Sequence, residues 1–154
     1  MNTNEYLQLI AAFTGSAGFA LAYNFRGRRH ILLAGLGGFL GWLCYLTVYH
    51  ISGNGYLAGY TGTVLVSLYS EAAARILRTP ATGLLIVTSI PMIPGAALYR
   101  CMHSLLLSQI SQFRKEGLYT ILFASCMAAG FVTVTILFRL LFDSDRDTTH
   151  SMHV

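Results

Sequence analysis

Long apolar stretches alternate along the chain with short polar or basic breaks, and this alternation predicts the elements. A first apolar segment runs from Glu5 to Asn24 and ends in Phe25-Arg26-Gly27-Arg28-Arg29-His30. About 20 helical residues at 1.5 Å each cover roughly 30 Å, one bilayer core. A second segment, Ile31 to Tyr49, is followed by the turn His50-Ile-Ser-Gly-Asn-Gly55; a third, Tyr56 to Leu77, ends at Arg75-Ile-Leu-Arg78-Thr-Pro80. A fourth begins at Thr82, is interrupted by Ser89-Ile-Pro-Met-Ile-Pro-Gly95, and resumes at Gly95 toward Ile110. A polar turn is expected at 112–117 and a fifth segment from Leu118 to Phe142. The pattern predicts an all-α, polytopic membrane helix bundle with about five transmembrane segments over residues 1–142. The polar stretch 143–154 has the composition of a disordered tail.

The break in the fourth segment is its most informative feature. Pro91 and Pro94 cannot donate backbone hydrogen bonds and clash with the preceding helical turn. Gly95 adds conformational freedom where the second half starts. In lipid, such backbone is tolerated only where protein covers it or where it lines a cavity. Transporters place breaks of this kind at binding sites near the midplane. Two readings fit: a plain proline kink, and a break that lines a substrate path.

Composition narrows the class. The 154 residues are 55% hydrophobic and 10% charged, against about 25% charged in soluble domains. There is too little polar surface to cover the chain in water, so it belongs in a bilayer. The net charge of +4 comes from residues flanking apolar segments, which the positive-inside rule explains better than nucleic-acid binding. Arg26, Arg28, Arg29, Arg75 and Arg78 are expected on the cytoplasmic side and the N-terminus on the other. Five crossings then bring the tail inside, although Arg114 and Lys115 would lie outside; a re-entrant fourth segment would reverse both. No removable signal peptide or lipidation motif is expected. Cys44, Cys101 and Cys126 are isolated and read as small apolar packing residues.

Glycines spaced for close packing add to the picture: Gly37 with Gly41, Gly55 with Gly59, Gly15 with Gly18, and Gly35 with Gly38. Small faces let helix backbones approach in a membrane.

Few residues could carry chemistry. Glu71 is the one acidic residue inside an apolar segment, and Arg75 lies at i+4. They form either a structural ion pair at the interface or a proton-coupling site. Arg100 sits five residues beyond Gly95, beside Tyr99. A half-helix starting at Gly95 and Ala96 would present free N–H groups to a carboxylate. Arg100 and Tyr99 would then assist, or Arg100 would simply reach an aqueous surface. Candidate substrate-binding residues are Pro91, Pro94, Gly95, Ala96, Tyr99 and Arg100. No catalytic triad, phosphate-cradling loop or H-E-x-x-H motif is present, and His150 with His153 lacks a further metal ligand nearby. No enzyme, cofactor or metal site is expected.

Several motifs occur in a telling order: Gly18-Phe-Ala-Leu-Ala-Tyr-Asn24, Arg26-Gly-Arg-Arg-His30, Tyr69-Ser-Glu71-Ala-Ala-Ala-Arg75, Arg75-Ile-Leu-Arg-Thr-Pro-Ala-Thr, and Ser89-Ile-Pro-Met-Ile-Pro-Gly-Ala-Ala-Leu-Tyr99. Over roughly residues 5 to 141 they resemble the threonine/serine exporter family. The match is narrower with its short subunit, equivalent to the C-terminal membrane half of the fused exporters. The resemblance implies a multi-pass protein of the bacterial inner membrane, paired with a longer membrane subunit of the same family. It also implies export of threonine and serine coupled to the proton gradient; some related pairs handle small carboxylates. The other function that fits is an assembly subunit that never touches substrate.

Overall fold

The computed structural model describes residues 3–25 and 27–150, with side-chain surroundings through Leu140. The expected tail at 143–154 falls beyond those described side chains. The described residues form six α-helices and one 3-10 turn. They are α1 (Thr3–Ala22), α2 (Arg28–Ser52), α3 (Gly55–Leu77), α4 (Ala81–Ser89), the turn Ile90–Met92, α5 (Gly95–Leu106) and α6 (Ile110–His150).

Local chemistry sets the helix ends. At the end of α1, Asn24 takes a left-handed conformation with φ 58°, which asparagine tolerates better than most residues. The Phe25 N–H then bonds the Ala20 carbonyl at 3.0 Å and the Asn24 N–H that of Leu21 at 3.0 Å, closing the helix with two otherwise orphaned carbonyls satisfied. Asn54 caps α3, its side chain accepting from the Tyr56 N–H at 2.9 Å. Arg78, left-handed at φ 53°, ends α3, and Pro80 follows where a helix cannot continue.

The last loop differs from expectation. Residues 112–117 are not a turn; they form part of the first turns of α6, and the chain reverses at 107–109 instead. Arg114, Lys115 and Glu116 are good helix formers. The stop is made by Ser108 at φ 57°, with the Gln109 N–H on the Ser104 carbonyl at 2.9 Å and the Ser108 N–H on that of Leu105 at 3.0 Å.

Successive helices from α1 to α4 run antiparallel. Trp42 Nε1 donates to Gln8 Oε1 at 3.3 Å, and His50 Nε2 lies 2.8 Å from Glu5 Oε1, joining the start of α1 to the end of α2. Tyr69 donates its hydroxyl to the Leu33 carbonyl at 2.7 Å, and Ser70 meets Thr88 at 3.0 Å. By contrast α6 runs parallel to α3: Tyr119 packs on Tyr56 with ring centroids 5.4 Å apart, Tyr60 meets Thr133 at 3.1 Å, and the Arg75 guanidinium lies 5.3 Å from the Phe138 ring centre. The broken segment supplies the return between those two parallel helices. One end of the bundle therefore gathers Arg28, Arg29, Arg75 and Arg78, and the other gathers Glu5, His50 and the α5–α6 turn.

Packing is close where glycine allows it. A Cβ at Gly41 would collide with Val66, and one at Gly62 with Met92, so the 3-10 turn nests in a notch between α2 and α3. Two core clusters result: Ala20, Ala34, Ala73, Leu84 and Val87 around α4, and Val66, Met92, Phe123 and Met127 beneath the break. Gly15 and Gly18 do not join this packing; a Cβ at either meets nothing within 4 Å.

The expected count of five membrane segments is not established by the helices. By length and composition α2 and the Ile110–Leu140 part of α6 can each cross a bilayer, and the pair α4 and α5, bent by 58°, makes a third if counted as one span. Helices α1 and α3, 20 and 23 residues long, are long enough but less apolar. In α3, Gly59, Gly62, Thr63, Ser67 and Ser70 take packing positions where a more apolar helix would carry Leu or Ile.

Candidate functional site

The break is built one residue at a time. Pro91 is the second residue of the 3-10 turn, and the Ile93 N–H returns to the Ile90 carbonyl at 3.1 Å. Ile93, preceding Pro94, is extended at φ −60°, ψ 128°, the conformation that a following proline imposes. The Gly95 N–H turns back to the Ile93 carbonyl at 2.7 Å, and the Leu98 N–H takes the Pro94 carbonyl at 3.0 Å. Helix α5 thus starts at Gly95, where the sequence placed it.

That start faces a cleft of about 160 Å³. Pro94, Gly95, Ala96 and Arg100 line it on the α5 side; Trp42 and Tyr45 of α2 and Tyr119 and Phe123 of α6 close the other side. The aromatic wall is continuous. Trp42 stacks on Tyr45 at 4.9 Å, Tyr45 meets Phe123 edge-on at 6.2 Å, and Tyr119 lies 5.9 Å from Phe123. A Cβ at Gly95 would meet nothing within 4 Å, so the backbone there is open to the cleft. A helix's first N–H groups have no acceptor within the helix and carry its positive dipole end. The Gly95 N–H is taken by the Ile93 carbonyl, so those of Ala96 and Ala97 remain; beside an aromatic wall and the Arg100 guanidinium they suit a small molecule with a carboxylate and a modest apolar part.

The candidate residues divide among several places. Pro94, Gly95, Ala96 and Arg100 share the cleft. Pro91 instead lines an apolar groove with Gln8, Ala11, Ala12, Gly15 and Ile90, and Trp42 borders both spaces. Tyr99 is 69% exposed and stacks on His103 at 6.0 Å; it is not among the cleft-lining residues. Arg100 pairs with Glu116, Nε to Oε1, at 3.2 Å. Glu71 is half-buried on α3, at the level of the last turn of α4, since its neighbour Ser70 bonds Thr88. Glu71 joins neither ion pair seen between described residues, Glu5 with His50 and Arg100 with Glu116, and Arg75 rests on the Phe138 ring. Among the described residues no cluster of His, Cys, Asp or Glu could hold a metal ion.

The aromatic wall was missed by the sequence reading. Its signal was present: Trp42 and Tyr45 are three apart and Tyr119 and Phe123 four apart, so each pair shares one helical face.

Apolar helices long enough to cross a bilayer, packed around a proline-broken segment with a cleft at the break, are the features of a helical membrane protein. A family model described as Threonine/Serine exporter, ThrE, matches residues 8–137. The chain belongs to that family, which is one of transporters and not of enzymes. No curated protein and no solved structure matches it significantly.

Proposed function

We propose that this chain is the small subunit of a two-component secondary transporter that exports threonine and serine from a bacterial cell, driven by the proton gradient. The observation that carries the reading is the cleft at the break. Open backbone at Gly95 and Ala96, the Arg100 guanidinium with its Nε held by Glu116, and an aromatic wall meet there, in a chain of the exporter family. The substrate carboxylate meets the N–H groups of Ala96 and Ala97 and the Arg100 guanidinium, and its short side chain rests against Trp42 and Tyr45.

In this reading α1, α2, α3, the broken α4–α5 pair and α6 make five crossings of the inner membrane. The end carrying Arg28, Arg29, Arg75 and Arg78 faces the cytoplasm. A longer membrane subunit of the same family completes the pathway. Glu71 carries the coupled proton on α3, beside the helix that holds the break.

The test is export of labelled threonine, serine and succinate from cells expressing this chain alone, its partner alone, and both. Threonine and serine export that needs both chains supports the proposal. Export by the partner alone makes this chain an assembly subunit, and succinate export in place of threonine moves the substrate to small dicarboxylates.

A further inference from the structure

A second, larger pocket of about 330 Å³ lies between α5 and the start of α6, lined by Arg100, His103, Ser104, Gln112, Lys115 and Glu116. We infer that it is a second binding station for a small zwitterionic amino acid, reached by way of Arg100 from the cleft at the break. The inference rests on the exporter reading above and extends it.

Geometry comes first. Arg100, His103 and Ser104 stand at i, i+3 and i+4 on α5, and Gln112, Lys115 and Glu116 repeat that spacing on α6. Each triplet occupies one helical face, and the two faces meet across the pocket. The helices are held together beside it by small residues, with Cys101 Sγ 3.7 Å from the Phe113 carbonyl and Gly117 against the same sulfur. Arg100 lines both spaces, so one guanidinium borders both compartments.

Charge then selects the ligand. Arg100 and Glu116 neutralise each other at 3.2 Å. Lys115 has no carboxylate partner among the described residues and leaves one positive charge uncompensated, which suits one carboxylate. Glu116 Oε1 takes Arg100, and its second oxygen keeps acceptor capacity for an ammonium group. His103, Ser104 and Gln112 add neutral hydrogen-bonding groups that suit a hydroxyl. Size agrees: at about 330 Å³ the pocket reaches the lower end of the range of small-molecule sites and is about twice the volume of the cleft at the break, at about 160 Å³.

The single tryptophan of the chain separates the two spaces, because Trp42 borders the cleft and not the polar pocket. Labelled L-threonine is titrated into the full chain in phosphatidylcholine nanodiscs while Trp42 emission is followed. Two binding components are expected, one of them silent in the emission. Lys115→Gln weakens the silent component about tenfold, the loss of one charge-assisted contact. Arg114→Gln, which removes a neighbouring cation outside the pocket lining, leaves it unchanged, and threonine methyl ester does not compete for it. A single component, tracked fully by Trp42 and indifferent to Lys115→Gln, overturns the second station and leaves the cleft standing. Loss of the silent component on adding phosphatidylglycerol also overturns the inference, since the pocket then takes a lipid headgroup. No binding of any kind overturns the second station, whose lining belongs wholly to this chain, and leaves the threonine reading to the export assay with both subunits.

Discussion

The two halves of the broken segment are held in opposite ways. Helix α4 is surrounded by α1, α2 and α3, and buries Leu84, Val87 and Thr88 completely. Helix α5 packs, among the described residues, on α6 alone, and what it buries is small: Ala97, Cys101 and Ser104. Dispersion and burial scale with the atoms removed from solvent, so α4 is an anchor and α5 is lightly docked. The proline-glycine break joins a deeply packed half to a lightly packed one, and the candidate cleft lies at that joint. A site built there can be precise on one wall and adjustable on the other.

Substitutions can break this contrast, and the largest effect belongs to the anchor. Leu84→Ala should cost about 2–5 kcal/mol of stability by leaving a cavity among α2, α3 and α4. Leu98→Ala on the exposed face of α5 should cost less than about 0.5 kcal/mol. Unfolding midpoints in mild detergent would compare them, and equal losses would mean that α5 is held as firmly as α4. Next comes Gly95→Val. A Cβ there meets nothing within 4 Å, so the branched side chain should be accommodated at the edge of the cleft that Gly95 lines and, by narrowing it, lower threonine export at least about tenfold with the unfolding midpoint unchanged. Normal export from that variant would remove the cleft from the pathway. Glu71→Gln should cut the dependence of export on the proton gradient several-fold, at about constant folded protein, if Glu71 carries the proton; a mere fall in folded protein would assign it a structural role. The smallest effect is expected at the Arg100–Glu116 pair. Both side chains are partly exposed, so Glu116→Gln should cost about 0–1 kcal/mol. It should speed amide exchange across α5 a few-fold while leaving α4 unchanged. Acceleration in both halves would show that they open as one unit.

The helical part of this organisation was legible in the sequence. The apolar runs place α1, α3 and α4 within two residues at either end, because basic clusters, Asn54 and Pro80 punctuate them plainly. The last reversal was not legible. Ser108 ends α5 without glycine or proline, and the charged run at 114–116 imitates a loop while forming good helix. That one misplacement hid the polar pocket, since Gln112, Lys115 and Glu116 share a face only if they are helical. The break itself was readable from Pro91, Pro94 and Gly95 alone. The wall opposite it was not, because Trp42, Tyr45, Tyr119 and Phe123 come from helices far apart in sequence. Gly15 and Gly18 had the spacing of a packing motif, yet spacing does not say whether a neighbour is present.

The parallel pairing of α3 with α6 has a consequence for how the protein is made. Tyr60 finds its partner Thr133 only 73 positions later. At about 5–20 residues per second, a ribosome needs roughly 4–15 seconds to supply it. During that interval the face of α3 bearing Gly59 and Thr63 has been synthesised and its mate has not. The nascent chain must shelter that face with lipid or another protein until α6 emerges, so ribosome pausing between α4 and α6 should leave it exposed to quality control for longest.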